Sequence, residues 1–291
     1  MREFDWIAFQ KMFKVPIPVP KHSEYYIREL SKSPKFAHLP QLVSDFKLFQ
    51  DRYPVTTGLK QVRQEAMTQL IDYLGATEAY RKFMAAPQPP KISTGDARSQ
   101  YADWQWLVSL DLVAANFYTF WCFGLEHETW EELCDSQGVD PFLAQSKSLR
   151  QIVFGNLNPK RNQRFQAEMI SKLWEYLDRQ GYHTVFKHHD ELVIGTGGTV
   201  EDMLRSAQEA ATLLGNVPVR ITLHKKKRLE GRGQFVVTEY DIDTLQEKYT
   251  YLFGVPGNRY MIEFKKHILN EPLDERDRMF INDGRLAMWM E

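Results

Sequence analysis

The spacing of apolar positions divides the chain into a helical first part and a second part in which strands and helices alternate. Leu42 to Gln50 and Thr57 to Leu74 read as helices; in the second, Leu59, Val62, Ala66, Leu70 and Tyr73 fall on one stripe. Thr57 is the expected N-cap of that helix and Gly75 its expected stop. A third helix is expected from Thr77 to Met84. Pro16, Pro18 and Pro20 predict an extended arm near the start, and AAPQPPKISTGDARS, with Pro87, Pro89 and Pro90, predicts a boundary.

Beyond that boundary the period changes. Trp106 to Leu112 is a short apolar run, a strand that carries Asp111 near its end. Pro159 to Arg179 is a long amphipathic helix with Phe165, Met169, Ile170, Leu173, Trp174 and Leu177 on one face, closed by Gly181. Thr184 to Lys187 and Leu192 to Ile194 form a hairpin around the tip HHDE. Glu201 to Leu214 is helical, and Val217 to Leu223 and Gln234 to Tyr240 are strands. This order predicts an α+β fold: an antiparallel sheet with helices on one face, preceded by a small helical region. The expected division is residues 1–95, 96–240 and 241–291.

Composition narrows the class. The 291 residues hold 43% hydrophobic and 26% charged side chains, which is globular composition rather than disorder. No apolar run is long enough for a transmembrane helix, so no membrane partner is expected. The N-terminal stretch lacks an apolar signal core. Two cysteines, Cys122 and Cys134, argue against a disulfide scaffold, and a cytoplasmic, intracellular setting is expected. Net charge is −1, which argues weakly against a protein that coats nucleic acid through overall charge.

The candidate chemistry lies in the carboxylates. Asp111 at a strand end and Asp190 and Glu191 at a hairpin tip can converge on divalent cations, and two such ions stabilise the attacking and leaving oxygens of a phosphoryl transfer. Taken alone, the same acids also fit ordinary turns. KHHDELVIGTGG, residues 187–198, resembles motif C of family A DNA polymerases, followed here as there by a helix and a strand, VPVRITL. SLDLVAANFY, residues 109–118, resembles motif A, and RQIVFG, Arg150 to Gly155, resembles motif B. The resemblance covers residues 100–230. It departs from family A in lacking a long insertion: Arg150 and Asp190 are 40 positions apart by subtraction (190 − 150), a spacing more like that of reverse transcriptases and viral RNA polymerases. Motif C lacks the Asp-Asp pair of the latter. The motif B basic residue is Arg rather than Lys, and Asn158 stands where family A has tyrosine.

The resemblance implies a polymerase palm: a template-dependent nucleotidyltransferase of viral or phage-like replication. Asp111 and Asp190 would bind Mg²⁺ or Mn²⁺, with Glu191 assisting. Arg150 and Lys147 would hold the incoming triphosphate, Phe154 would support its base, and Asn116 would sense the sugar. Partners would be primer, template and nucleoside triphosphates, with other subunits of a replication or transcription assembly. Lys160, Arg161 and Arg164, with Lys225, Lys226, Lys227, Arg228 and Arg232, form basic clusters suited to phosphate contacts, although charge runs are more often solvated faces. His183, His188 and His189 lack a companion ligand pair at metal-site spacing. Two other classes stay open: a catalytically reduced polymerase-like nucleic-acid-binding or structural subunit, and a metal-dependent nuclease.

Overall fold

The computed structural model describes residues 3–16, 19–53, 58–92, 94–96, 105–195, 198–231 and 233–290. Thr57 as an N-cap, Pro18 of the expected arm, Gly197 of the GTGG turn and Arg232 lie outside them. The fold is α+β, and a run of helices comes before the main strands: α1 (Glu3–Phe13), α2 (Ser23–Leu30), α3 (Leu39–Arg52), α4 (Gly58–Ala76) and α5 (Glu78–Ala85). Thr77 caps α5 by accepting the Tyr80 N–H at 3.2 Å. Gly75 does not stop α4, which runs on through Ala76. Nothing in the apolar spacing pointed to α1, yet Trp6, Phe9 and Met12 give it a buried stripe. Among the described residues no helix is long and apolar enough to cross a membrane.

The chain divides into two compact units, residues 62–224 and residues 1–61 with 225–291, rather than at positions 95 and 240. The unit of residues 62–224 holds most of α4, then α5, β1 (Gly95–Asp96), β2 (Trp106–Leu112), α6 (Ala115–Trp121), α7 (Trp130–Ser136), α8 (Pro141–Ala144) and α9 (Lys147–Gly155). It continues through α10 (Pro159–Arg179), β3 (His183–Lys187), β4 (Glu191–Gly195), α11 (Val200–Thr212) and the start of β5 (Val219–Arg228). The reason residues 62–95 join the sheet is aromatic packing: Phe83 meets Phe120 at 4.7 Å, Phe123 at 5.5 Å and Phe165 at 5.6 Å. Burial of several such rings holds α5 to α6 and α10 more firmly than the proline stretch separates them.

Strands in this unit lie in the order β1-β3-β4-β2-β5, with β4 antiparallel to both β2 and β3. The element order β2, helices, β3, β4, α11, β5 with β4 inserted between β3 and β2 is a split β-α-β arrangement. The helices cover one face: Trp174 of α10 lies 3.9 Å from the Lys187 ammonium, and Lys187 stands opposite Leu192. Side chains alternate along a strand, so Ser109, Asp111 and Glu191 point away from α10 while Leu110, Leu112 and Leu192 point toward it.

The other unit holds α1 to α3, the end of β5, β6 (Phe235–Tyr240), β7 (Glu247–Phe253), α12 (Gly257–Phe264), β8 (Met279–Asn282) and β9 (Arg285–Met288). The stretch 241–291, expected as a division of its own, contributes β7, which pairs antiparallel with β6 from Phe235↔Phe253 to Tyr240↔Glu247. Its buried anchor is ionic. The Lys265 ammonium donates to Glu29 at 2.7 Å and to Glu271 at 3.0 Å, and Lys32 donates to Glu29 at 2.7 Å. Tyr25 adds hydrogen bonds to Asp274 at 2.7 Å and Asp277 at 2.9 Å.

Burial alone would raise the Glu29 pKa, but hydrogen bonds from Lys265 and Lys32 outweigh it and bring it from 4.5 to about 2. A depressed carboxylate contributes stability above its unfolded pKa and loses it as pH falls through the folded value. Glu29→Gln is therefore expected to destabilise the protein by about 3–5 kcal/mol at neutral pH. The gap between variant and wild type should narrow as pH falls from about 4.5 toward 2. Denaturant unfolding at pH 7 and pH 3 checks both the loss and its direction.

Candidate active site

The site starts from strand register. Asp111 on β2 stands directly opposite Glu191 on β4, and the Leu112 N–H donates to the Asp190 carbonyl at 2.9 Å. Residues opposite one another in an antiparallel pair have Cα atoms about 5 Å apart, so three acids crowd one end of two neighbouring strands. The hairpin tip is held by the His188 N–H, which donates to the Glu191 carbonyl at 2.8 Å. Just past β2, Ala114 adopts a left-handed conformation, φ 47°. That conformation costs a non-glycine residue about 1–2 kcal/mol, and it turns the chain sharply from Asp111 into α6.

Each acid has a defined surrounding. Burial raises the Asp111 pKa, and the Asp190 charge raises it further, while Arg220 and Lys147 lower it. Arg220, at the start of β5, forms an ion pair with Asp111. Ser109 Oγ donates to Glu191 Oε1 at 2.8 Å. Asp190 Oδ1 lies 3.3 Å from His188 Nδ1 and 3.6 Å from His189 Nε2. Burial lowers the His189 pKa, which favours a neutral imidazole.

The expected site residues separate into those that reach the acids and those that do not. Lys147, the first residue of α9, acts on Asp111. Arg150, one turn later, is half-buried and faces Glu131 and Cys134; burial pulls its pKa below the usual guanidinium value and pushes the Cys134 thiol up to about 12. Phe154 is 1% exposed among Phe117, Phe120 and Trp130, with ring centroids 6.5, 5.1 and 5.9 Å away. In this conformation it is a core residue and offers no face to a base, which corrects the base-supporting role. Arg161 is also structural: it is buried and donates to the carbonyls of Phe83 and Ala86, holding the end of α5. Asn158 is the left-handed N-cap of α10 and accepts the Arg161 N–H at 3.3 Å. Asn116 accepts from Gln166 at 2.7 Å.

Lys160 is exposed, while Arg164 is half-buried and donates to the Pro89 carbonyl at 3.4 Å. With Lys91, Gln163, His188 and His189 they line a groove of 440 Å³ beside the hairpin tip. Lys225, Lys226 and Lys227 belong to the other unit. There Lys226 is buried with its ammonium 4.9 Å from the Phe235 ring, Lys225 lies 5.5 Å from the Tyr240 ring, and Lys227 is exposed. Lys226 is thus a packing residue rather than a phosphate contact.

Two residues escaped the sequence reading. Arg220 sits inside VPVRITL, which was legible as a strand but not as a partner of Asp111; only the β2–β5 neighbourhood brings them together. Ser109 is two positions before Asp111 and shares its face, a signal that strand alternation does contain.

Replacing Arg220 with Ala removes the largest charge that lowers the Asp111 pKa. The Asp111 carboxyl should then titrate at higher pH than in the wild type, and Arg220→Lys should move it less. Carboxyl-carbon NMR of the two variants reads the shift directly.

Comparison with protein-family models finds none that matches this chain, and comparison with curated proteins finds no matching sequence.

Proposed function

We propose that the protein is a compact, polymerase-type nucleotidyltransferase that adds nucleotides to a 3′-hydroxyl with divalent metal assistance. The observation that carries this reading is the placement of Asp111 beside Asp190 and Glu191 at the same end of β2 and β4. The split β-α-β order supports it, since the motifs resembling A, B and C fall on β2, α9 and the β3–β4 hairpin.

The donor set fits a hard cation. Its atoms are carboxylate oxygens, which suit Mg²⁺ or Mn²⁺, and Asp111 sits where burial and Asp190 disfavour a bare negative charge. Asp111 and Asp190 would hold the metal, with Glu191 beside them. Bound there, the metal would supply charge neutralisation at the transferring phosphoryl group.

The protein's own residues do the remaining work. Lys147 and Arg220, the two cations that act on Asp111, are placed to receive phosphate oxygens. Arg220 is 63% exposed at the side chain, so its guanidinium can leave Asp111 for a triphosphate when metal takes its place. Catalysis is then positioning and electrostatic stabilisation. Asn116, tied to Gln166, stands five positions after Asp111 (116 − 111) and is the candidate sugar sensor. Primer, template and nucleoside triphosphates are the partners of this reading, with an intracellular setting.

A second reading rests on specific contacts. Arg220 already neutralises Asp111, and Arg150 and Phe154 are committed to packing. These features favour a catalytically reduced polymerase-like subunit that binds nucleic acid within a larger assembly.

A primer-extension assay with DNA and RNA templates and both nucleotide types separates the two. Catalysis predicts Mg²⁺- or Mn²⁺-dependent extension that falls by at least about a hundredfold in Asp111→Asn and in Asp190→Asn. Template binding without extension in the wild type supports the second reading, and a shortened primer supports a nuclease.

A further inference from the structure

We infer that the tip of the β3–β4 hairpin is a second metal site, for a zinc-class divalent transition ion, whose open coordination position takes a phosphate oxygen. It shares Asp190 with the carboxylate pair proposed above, but does not depend on the reaction proposed there. The ligand atoms of His188, His189 and Asp190 all lie within 4.8 Å of one another. Two of the separations decide the point. His188 Nδ1 is 3.3 Å and His189 Nε2 3.6 Å from Asp190 Oδ1. Ligands about 2.0–2.1 Å from a tetrahedral ion stand about 3.3 Å apart, so two of the three separations already match coordination geometry and the third is at most 4.8 Å.

The ligands sit on a built element. His188 stacks on Phe186 with ring centroids 5.9 Å apart and planes 10° from parallel, and the two imidazoles meet at 4.0 Å. Their backbone is pinned by the His188 N–H to Glu191 carbonyl bond at 2.8 Å. A tight turn that offers Nδ1 from one histidine and Nε2 from the next can bring both nitrogens to the same carboxylate oxygen. Two imidazoles and one carboxylate form a borderline donor set that prefers Zn²⁺ or Co²⁺ over Mg²⁺. Three protein ligands with a fourth position open is the arrangement that leaves room for an exogenous ligand.

The surroundings name that ligand. Both imidazoles line the 440 Å³ groove, whose other charged lining residues among the described residues are Lys91, Lys160 and Arg164, with no acid among them. A metal beside three cations attracts an anion with several oxygens, which is phosphate chemistry. The source is either a free phosphate or polyphosphate, or a phosphodiester backbone.

The test uses the full chain stripped of metal, with Co²⁺ as the probe because its visible absorption reports coordination number. The wild type should bind Co²⁺ with the intense bands of a four-coordinate site. His188→Gln and His189→Gln should each weaken binding by at least about tenfold, with folding checked by circular dichroism. Asp111→Asn should bind Co²⁺ like the wild type even where extension is lost, which separates this site from the carboxylate pair. Inorganic phosphate should shift the bands of the wild type but not of the Lys160→Ala/Arg164→Ala chain. A short single-stranded oligonucleotide that shifts them at lower concentration than phosphate assigns the backbone as the source; the reverse order assigns the free anion. Absence of four-coordinate Co²⁺ bands in the wild type, wild-type affinity in both histidine variants, or bands that neither phosphate source moves overturns the proposal.

Discussion

The pairing of β2 with β4 is the constraint on which the rest depends. In its observed register Asp111 faces Glu191 and Ser109 faces Val193. A slip of one residue would send Asp111 to the face that packs on α10 and bring Leu110 or Leu112 out to the other. The buried leucines on the helix-covered side hold the register: Leu110 and Leu192 are fully buried and directly opposite. The hydrophobic pattern of two short strands thus places three carboxylates together, although none of them contributes to that pattern. Burying acids side by side raises the cost of their charge, and Arg220 and Lys147 offset part of it at Asp111.

The helices after β2 divide their polar residues between structure and surface. Arg150, Phe154 and Arg161 lie in a sequence that reads as a phosphate-contacting segment, yet each is drawn inward. The cause is the aromatic cluster of Phe83, Phe117, Phe120, Trp130 and Phe154, which needs covering and recruits the nearest helices. Lys147 and Lys160, at the starts of α9 and α10, escape that demand, and Arg164 on the next turn of α10 is only half-buried. On the proposed reading, phosphate handling falls to those positions and to Arg220, not to the residues at the motif-like spacing.

Much of the fold was legible. The bounds of β2 and α10 coincide with the apolar runs that predicted them, because each has a strong period and a capping or stopping residue, such as Gly181 with φ 84° after α10. The hairpin was legible for the same reason. Placing residues 62–95 with the sheet was not, since that depends on contacts such as Phe83 with Phe165 across 82 positions (165 − 83). The acids of the site could be read because their strands could be read. Arg220 could not, because its meaning depends on β5 lying next to β2, a long-range neighbour that no local spacing encodes. The histidines illustrate the opposite case. They lack metal-motif spacing in sequence, and only the turn geometry brings their nitrogens to one carboxylate oxygen.

On the proposed reading, Asp111 and Asp190 act together on one divalent cation. Crystals of the full chain soaked in Mn²⁺ test it through anomalous scattering. The expected result is an anomalous peak within direct coordination distance of both carboxylates, with the Arg220 guanidinium displaced from Asp111. An Arg220–Asp111 pair left intact at saturating Mn²⁺, with no peak between the two aspartates, would contradict it.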